Sequence, residues 1–417
     1  MGKSLGLEKL ALHLVLLASI CSVVLVYFLF KPEDLSIAED FTNPYSHLPG
    51  FSPRINLQND SSLKLPEAAD GYEFFRYPYK DIRTNTTKYG KVLPVSRVLL
   101  SKYQIPINYL ETLDADSVLD FVFVMACSGD HLKESLDAIA TVQEQFPKHR
   151  IMFYDWGLSS EQVELLKTLC GVTHVPFDFS SYSASKHQSG RSIFQGAKIL
   201  CIMDALINNS GAFWIDASVR FFNSSGFSVL FQNVIRNGGF AMMSNAHHST
   251  YAATHPGMYA YLPTDIEGQK RCCQGQSGAT LVYKTHKVFD GIIWPWFLCS
   301  LTAECMTPTM QLSCKFKKGD VLRTYGGCHR VDQSALNILA SNLYNHNNTI
   351  NVSHITDTNF TRFLYLNRYK TGTGVDLHPL GGERERECHD LEGWADNEIC
   401  RIPDIREPKS PYTGTDT

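Results

Sequence analysis

A repeated pattern of short apolar runs, each ended by a carboxylate or small polar cluster and followed by an amphipathic stretch, constrains this chain more than any other feature. Asp120-Phe121-Val122-Phe123-Val124-Met125-Ala126 leads through Ser128-Gly129-Asp130 into an amphipathic segment from His131 to Phe146. Arg150-Ile151-Met152-Phe153-Tyr154 leads through Asp155-Trp156-Gly157 into Ser159 to Cys170, whose Ser-Ser-Glu-Gln start reads as a capping signal and whose Val163, Leu165, Leu166 and Leu169 recur at helical spacing. Gly171 closes that helix, Val172 to Phe177 reads as a further strand, and a polar loop through Ser189-Gly190-Arg191 opens a helix from Ser192 to Asn208. Strands alternating with helices of this length require parallel crossovers. The chain is therefore α/β, with an open, mostly parallel, twisted sheet covered by helices on both faces. Ligands of such sheets lie beyond the carboxyl ends of the strands, where Asp130, Asp155 and Asp216 fall.

The run Phe213-Trp214-Ile215-Asp216-Ala217-Ser218-Val219-Arg220-Phe221 is the centre of this pattern. Asp216 is the first polar group out of the sheet, with Ser218 and Arg220 close behind, a set suited to a divalent cation and a diphosphate. A strand-end Asp that only starts a turn is the competing reading.

At 417 residues with 44% hydrophobic and 12% aromatic content, the chain can bury a substantial core, and its net charge of -4 offers no field that gathers nucleic acid. Leu10 to Phe30 is apolar over a bilayer's thickness and reads as a transmembrane signal-anchor, since a cleaved signal peptide has a shorter apolar region and a small-residue cleavage site. Lys3 and Lys9 precede the run and Glu33 and Asp34 follow it, which places residues 1–9 in the cytosol and everything after the anchor in the lumen. Asn59, Asn85, Asn208, Asn223, Asn347, Asn351 and Asn359 each begin an Asn-x-Ser/Thr sequon and agree with that side. Twelve cysteines without a Cys-x-x-Cys pair point to disulfides and not zinc.

Residues 31–115 read as a stem and lead-in, with Arg97 to Leu100 a candidate peripheral strand, 116–370 as the catalytic domain, and 371–417 as a tail. Within the domain, Gly239 to Met243 and Ala279 to Tyr283 read as strands, and Trp294 to Cys314 as a disulfide-stapled insertion. His247, His248 and His255 fall in one loop region, where exposed loop histidines compete with metal ligation.

From Asp120 to Asn345 the order of motifs resembles the nucleotide-sugar-dependent glycosyltransferases of GT-A fold, glycogenin-like and nucleotide-diphospho-sugar transferase families in particular. Phe213 to Asp216 stands where those enzymes have an apolar strand ending in Asp-x-Asp, with Ser218 in place of the second carboxylate. Ser277-Gly278-Ala279 is similar to their Asn-Ala-Gly acceptor-side element, and Asp332-Gln333-x-x-Leu336-Asn337 to their Asp-Gln-x-x-Leu-Asn segment. The chain also resembles animal, largely nematode, families with Trp-Ile-Asp-x-Ser and Cys-His-Arg-x-Asp-Gln-Ser segments.

The resemblance implies a Golgi type II membrane enzyme that moves a sugar from a nucleotide-sugar donor to a glycan or glycoprotein. It implies donor and phosphate contacts from Asp155, Lys198, Asp216, Arg220 and His378, and Mn²⁺ or Mg²⁺ held by Asp216 with Ser218 as a weaker ligand. Ser277 and Gly278 would stand on the acceptor side, and Asp332 and Gln333 would carry the chemistry; a helix cap at Asp332 beside a solvated Gln333 is the structural reading of that pair. A catalytically inactive lumenal domain that binds glycan or protein is the alternative of another class. An adhesive ectodomain would show an all-β pattern instead.

Overall fold

The computed structural model describes residues 71–182, 190–221, 227–271, 273–346 and 364–366. It opens on an antiparallel hairpin of β1 (Tyr72–Asp81) and β2 (Thr86–Ser96), followed by helix α1 (Arg97–Lys102). Segment Arg97 to Leu100 is thus helix and not strand: Ser96 stands at the N-cap and its hydroxyl accepts from Leu99 N, fixing the first turn. The lead-in from Gly71 onward is packed against the domain. Phe75, Leu93 and Val95 are buried, and the Phe75 ring meets Trp294 edge-on at 5.3 Å.

The alternating segments follow as β3 (Phe121–Cys127), α2 (Leu132–Gln145), β4 (Ile151–Asp155), α3 (Ser160–Lys167), β5 (Val172–Pro176), α4 (Gly190–Asn208) and β6 (Gly211–Ile215). The capping signal before α3 is a full capping box: Ser159 Oγ accepts from Gln162 N and Gln162 Oε1 accepts from Ser159 N. Gly171, at φ +70°, supplies the left-handed residue that turns the chain into β5. Beyond β6 come β7 (Val219–Phe221), α5 (Phe227–Asn237), β8 (Phe240–Met242), β9 (Ala279–Tyr283), α6 (Trp294–Ser300), α7 (Val331–Leu343) and β10 (Leu364–Leu366).

The main sheet has the order β5-β4-β3-β6-β9-β8, in which β5, β4, β3 and β6 are mutually parallel, β9 is antiparallel to both of its neighbours β6 and β8, and β8 therefore runs in the direction of β6. β7 pairs with β10 in a separate ribbon. Alternate residues of each central strand serve opposite faces. Phe121, Phe123, Phe213 and Ile215 pack with α2 and α5 in one core, where Phe123 stacks on Phe213 at 5.1 Å. The other face is covered by α4, with α6 and α7 packed on it. Both faces being covered is why these strands read as continuous apolar runs.

Segment Trp294 to Cys314 is only partly an insertion. All seven residues of α6 are buried, making it core, and the stapling begins in its last turn with the disulfide Cys299–Cys305 and continues with Cys314–Cys328. Cys273 is disulfide-bonded too, whereas Cys127 and Cys201 are buried free thiols. No helix among the described residues is long and apolar enough to cross a membrane. The Leu10 to Phe30 run, the 371–417 tail, His378, Asn59, Asn223, Asn347, Asn351 and Asn359 lie outside the described residues.

Candidate active site

Strand β6 ends at Ile215, and the next residue does two things at once. The backbone of Asp216 makes a turn, its N–H donating to Gly278 O at 2.7 Å and its carbonyl accepting from Val219 N at 2.9 Å. Its carboxylate, 43% exposed, enters an ion cluster instead. Oδ1 accepts from Trp214 Nε1 at 2.6 Å and lies 3.2 Å from Lys198 Nζ. The turn and the site reading therefore describe one residue, divided between its backbone and its side chain.

Lys198 comes from α4, the helix that crosses over into β6, and its side chain is only 10% exposed. Its ammonium reaches Asp332 Oδ2 at 3.0 Å, Ser277 O at 2.9 Å and Ser277 Oγ at 3.2 Å, and stands 5.1 Å from the centre of the Trp214 ring. Burial by itself would pull this ammonium down; the carboxylates of Asp216 and Asp332 outweigh it and hold the group above its ordinary value. Lys198 is charged.

The third arm is the start of α7. Asp332 does not cap the helix: its Oδ2 takes Lys198 and the Ser277 hydroxyl, the latter at 2.9 Å. Gln333 is buried, not solvated, and donates from Nε2 to Gln274 Oε1 at 2.8 Å. One turn on, Asn337 clamps the Gly275 peptide, accepting its N–H at 2.7 Å and donating to its carbonyl at 2.8 Å. The spacing of Asp332, Gln333 and Asn337 places all three against loop 274–278, which is what the Asp-Gln-x-x-Leu-Asn pattern does physically. Val331, just before them, is β-branched yet held at φ +44°, a conformation costing on the order of 1–3 kcal/mol. Gly278 permits a close approach: a Cβ there would stand 3.0 Å from Asp216 Oδ2, so the carboxylate would have to give by a few tenths of an ångström.

These groups share one open cavity of about 340 Å³, lined by Lys198, Asp216, Ser218, Ser277, Gly278, Asp332 and Gln333, with Leu312, His329 and Arg330 also on its wall. It lies beyond the carboxyl end of β6, as the topology requires. His329 is fully buried, with Nε2 against Met306 O and Nδ1 accepting from His255 N. Burial pushes its imidazole down to about 4, so it is a neutral wall.

Two expected donor contacts sit elsewhere. Arg220 is buried on β7 and spends its guanidinium on Ala217 O, Val219 O, Glu134 O and the Asp137 carboxylate, tying the strand to α2. Asp155 turns its carboxylate into its own loop: Oδ1 accepts from Gly157 N and Leu158 N, and Oδ2 meets His174 Nε2 at 3.1 Å. Burial pushes that carboxyl up, but these donors outweigh it and leave it below its ordinary value. Asn85, in the β1–β2 turn, and Asn208, at the end of α4, are both exposed.

The residues present do not make a divalent-cation site. Asp216 Oδ1 is taken by two donors, Ser218 brings no charge, and the nearest second carboxylate oxygen, Asp332 Oδ2, is held by Lys198 and Ser277. No cluster of three His, Cys, Asp or Glu suited to a metal occurs among the described residues, the loop histidines included.

Residues 74–195, from the hairpin to the first turns of α4, match the model of a protein family of unknown function, DUF1647. No curated protein matches the chain. Solved structures that it resembles include glycosyltransferases. Mouse xyloside xylosyltransferase 1 in its apo form aligns over 61% of this chain and 99% of its own, at 10% identity and a TM-score of 0.36. Core-mannan synthase A from Aspergillus fumigatus, in a Mn/GDP form, aligns over 65% and 84% at 11% identity and 0.32. The galactosyltransferase LgtC with donor and acceptor sugar analogues aligns over 52% and 69% at 12% identity and 0.31.

Proposed function

We propose that the chain is a glycosyltransferase that takes a sugar from a nucleotide-sugar donor and passes it to a glycan or glycoprotein hydroxyl. The observation that carries this is the convergence of Asp216, Lys198, Ser277 and Asp332 on one cavity at the carboxyl end of the parallel strands. In the reaction, the acceptor hydroxyl oxygen bonds to the anomeric carbon and gives up its proton to a base or to the departing diphosphate, as the bond from that carbon to the diphosphate oxygen breaks and its electron pair leaves with the diphosphate. The site must place cationic groups at the leaving phosphates and a fixed acceptor at the sugar or the incoming hydroxyl. Asp332 suits the second role: both its contacts fall on Oδ2, leaving Oδ1 able to accept. Gln333, locked by Gln274, offers a positioned amide beside it.

The enzyme works in the Golgi lumen, anchored by Leu10 to Phe30 as a single-pass type II protein; the apolar length, the flanking lysines and the exposed sequons at Asn85 and Asn208 support that placement. A second reading, a pocket that binds sugar nucleotide or glycan without transfer, is favoured by Ser218, which lacks the carboxylate of Asp-x-Asp. A panel of UDP- and GDP-sugars, assayed for nucleotide release and for thermal stabilisation, separates the two. A donor at a hundred times its Kd adds about 2.7 kcal/mol to stability. Stabilisation with release supports transfer, stabilisation alone supports the binding domain, and neither with any donor removes both.

A further inference from the structure

The charged residues lining the cavity are Lys198, Arg330, Asp216 and Asp332, two of each sign. We infer that the pocket takes a nucleoside diphosphate without a divalent cation, Lys198 and Arg330 supplying the two positive charges that such an ion would bring. This rests on the donor-binding reading above.

Geometry is the first support. The space between two carboxylates is where a cation would bridge them, and here an ammonium already fills it, 3.2 Å from Asp216 Oδ1 and 3.0 Å from Asp332 Oδ2. Lys198 is fixed there by the Ser277 carbonyl and hydroxyl and by the Trp214 ring. A dication entering beside it would meet a buried positive charge at short range in a medium of low dielectric, a repulsion that exposed Asp216 Oδ2 and the neutral Ser218 hydroxyl do not offset.

Charge count is the second. A pair of carboxylates with a dication is neutral before the diphosphate arrives, and so is this pair with Lys198 and Arg330. Lys198 saturates its donors on protein acceptors, which makes it the residue that positions and neutralises Asp216 and Asp332. Arg330, which lines the same cavity, is the group assigned to the phosphates. It is placed at the N-cap of α7 by its N–H on Ala253 O and carries the planar fork that matches phosphate oxygens. Ser218 follows from the same arrangement: a second carboxylate at that position would upset the balance.

Calorimetry on the full-length chain in detergent tests this, with UDP and GDP as probes in EDTA and again in saturating Mn²⁺, and with Mn²⁺ alone. The expected result is one nucleotide binding with affinities within about threefold across the two conditions and no heat from Mn²⁺ alone. Arg330→Gln should weaken that nucleotide about tenfold or more in EDTA, and Ser218→Asp should weaken it in EDTA and recover it with Mn²⁺. Affinity at least about tenfold tighter with Mn²⁺ overturns the inference while leaving the donor reading intact, as does Mn²⁺ binding alone or an unchanged Arg330→Gln. No nucleotide binding in any condition overturns the donor reading itself.

Discussion

Replacing Lys198 by Met removes a buried ammonium while keeping the length of its stem, and the structure fixes what that should cost. Asp216 is 43% exposed and recovers much of its hydration, so its share of the loss is at most about 1 kcal/mol. Asp332 is 19% exposed and Lys198 10%, so their pair behaves as a buried one whose broken half costs about 3 kcal/mol. Removing the second charge should repair the first removal: Asp332→Asn in the Lys198→Met background is expected to restore most of the stability. The signature is a coupling of about 2 kcal/mol in the double-mutant cycle, read by urea denaturation near neutral pH. A Lys198→Met variant that loses under about 1 kcal/mol, or a cycle that is simply additive, refutes the buried bridge.

Asp216→Asn keeps the backbone turn to Gly278 and Val219, so melting should hardly move while nucleotide release falls on the order of a hundredfold; unchanged turnover with a lowered melting point would reduce the residue to its turn. Gly278→Val forces a side chain against Asp216 Oδ2 and should cut turnover more than stability, again seen by comparing release assays with melting. Burial raises Asp290 to about 6, so it favours folding below its unfolded value near 3.8 and loses that contribution as pH rises through 6; Asp290→Asn should add stability of up to about 3 kcal/mol at neutral pH. His329, pushed down to about 4, works the other way: its contribution is whole above 6.5 and is lost as pH falls toward 4. The two slopes oppose one another between about pH 4 and 6, so chemical denaturation of Asp290→Asn should show a steeper acid decline than the parent, and an equal slope would contradict these shifts.

The parallel half of the sheet was legible because strands covered on both faces must be apolar throughout, and β3, β4 and β6 are. The hairpin was not, since Tyr72–Asp81 mixes aromatics with charge and a proline, and its burial comes from Trp294, more than two hundred residues away. The reversed direction of β9 between β6 and β8 depends on long connections whose course no local pattern fixes. In the candidate site, Asp216 stands out in the sequence by its place at a strand end, while Ser277, Asp332 and Lys198 are singled out only by the resemblance to GT-A glycosyltransferases. What they contact was not legible: the ammonium bridge is a tertiary juxtaposition of α4, β6 and α7. Arg220 shows the converse, since lying near a strand end in sequence does not aim a side chain at the cavity. Arg330 was passed over although it stands inside the Cys-His-Arg-x-Asp-Gln-Ser segment, where an arginine before an Asp-Gln pair was the available signal.

A crystal structure of the chain with whichever of UDP or GDP binds it tests the central claim most directly. The account predicts the diphosphate in the cavity beyond β6, within hydrogen-bonding distance of Arg330, with Lys198 still bridging Asp216 and Asp332 and the sugar end open toward Asp332 Oδ1 and Gln333. Nucleotide seated anywhere else on the chain, or Lys198 swung out and Asp216 and Asp332 turned to a metal, would contradict it.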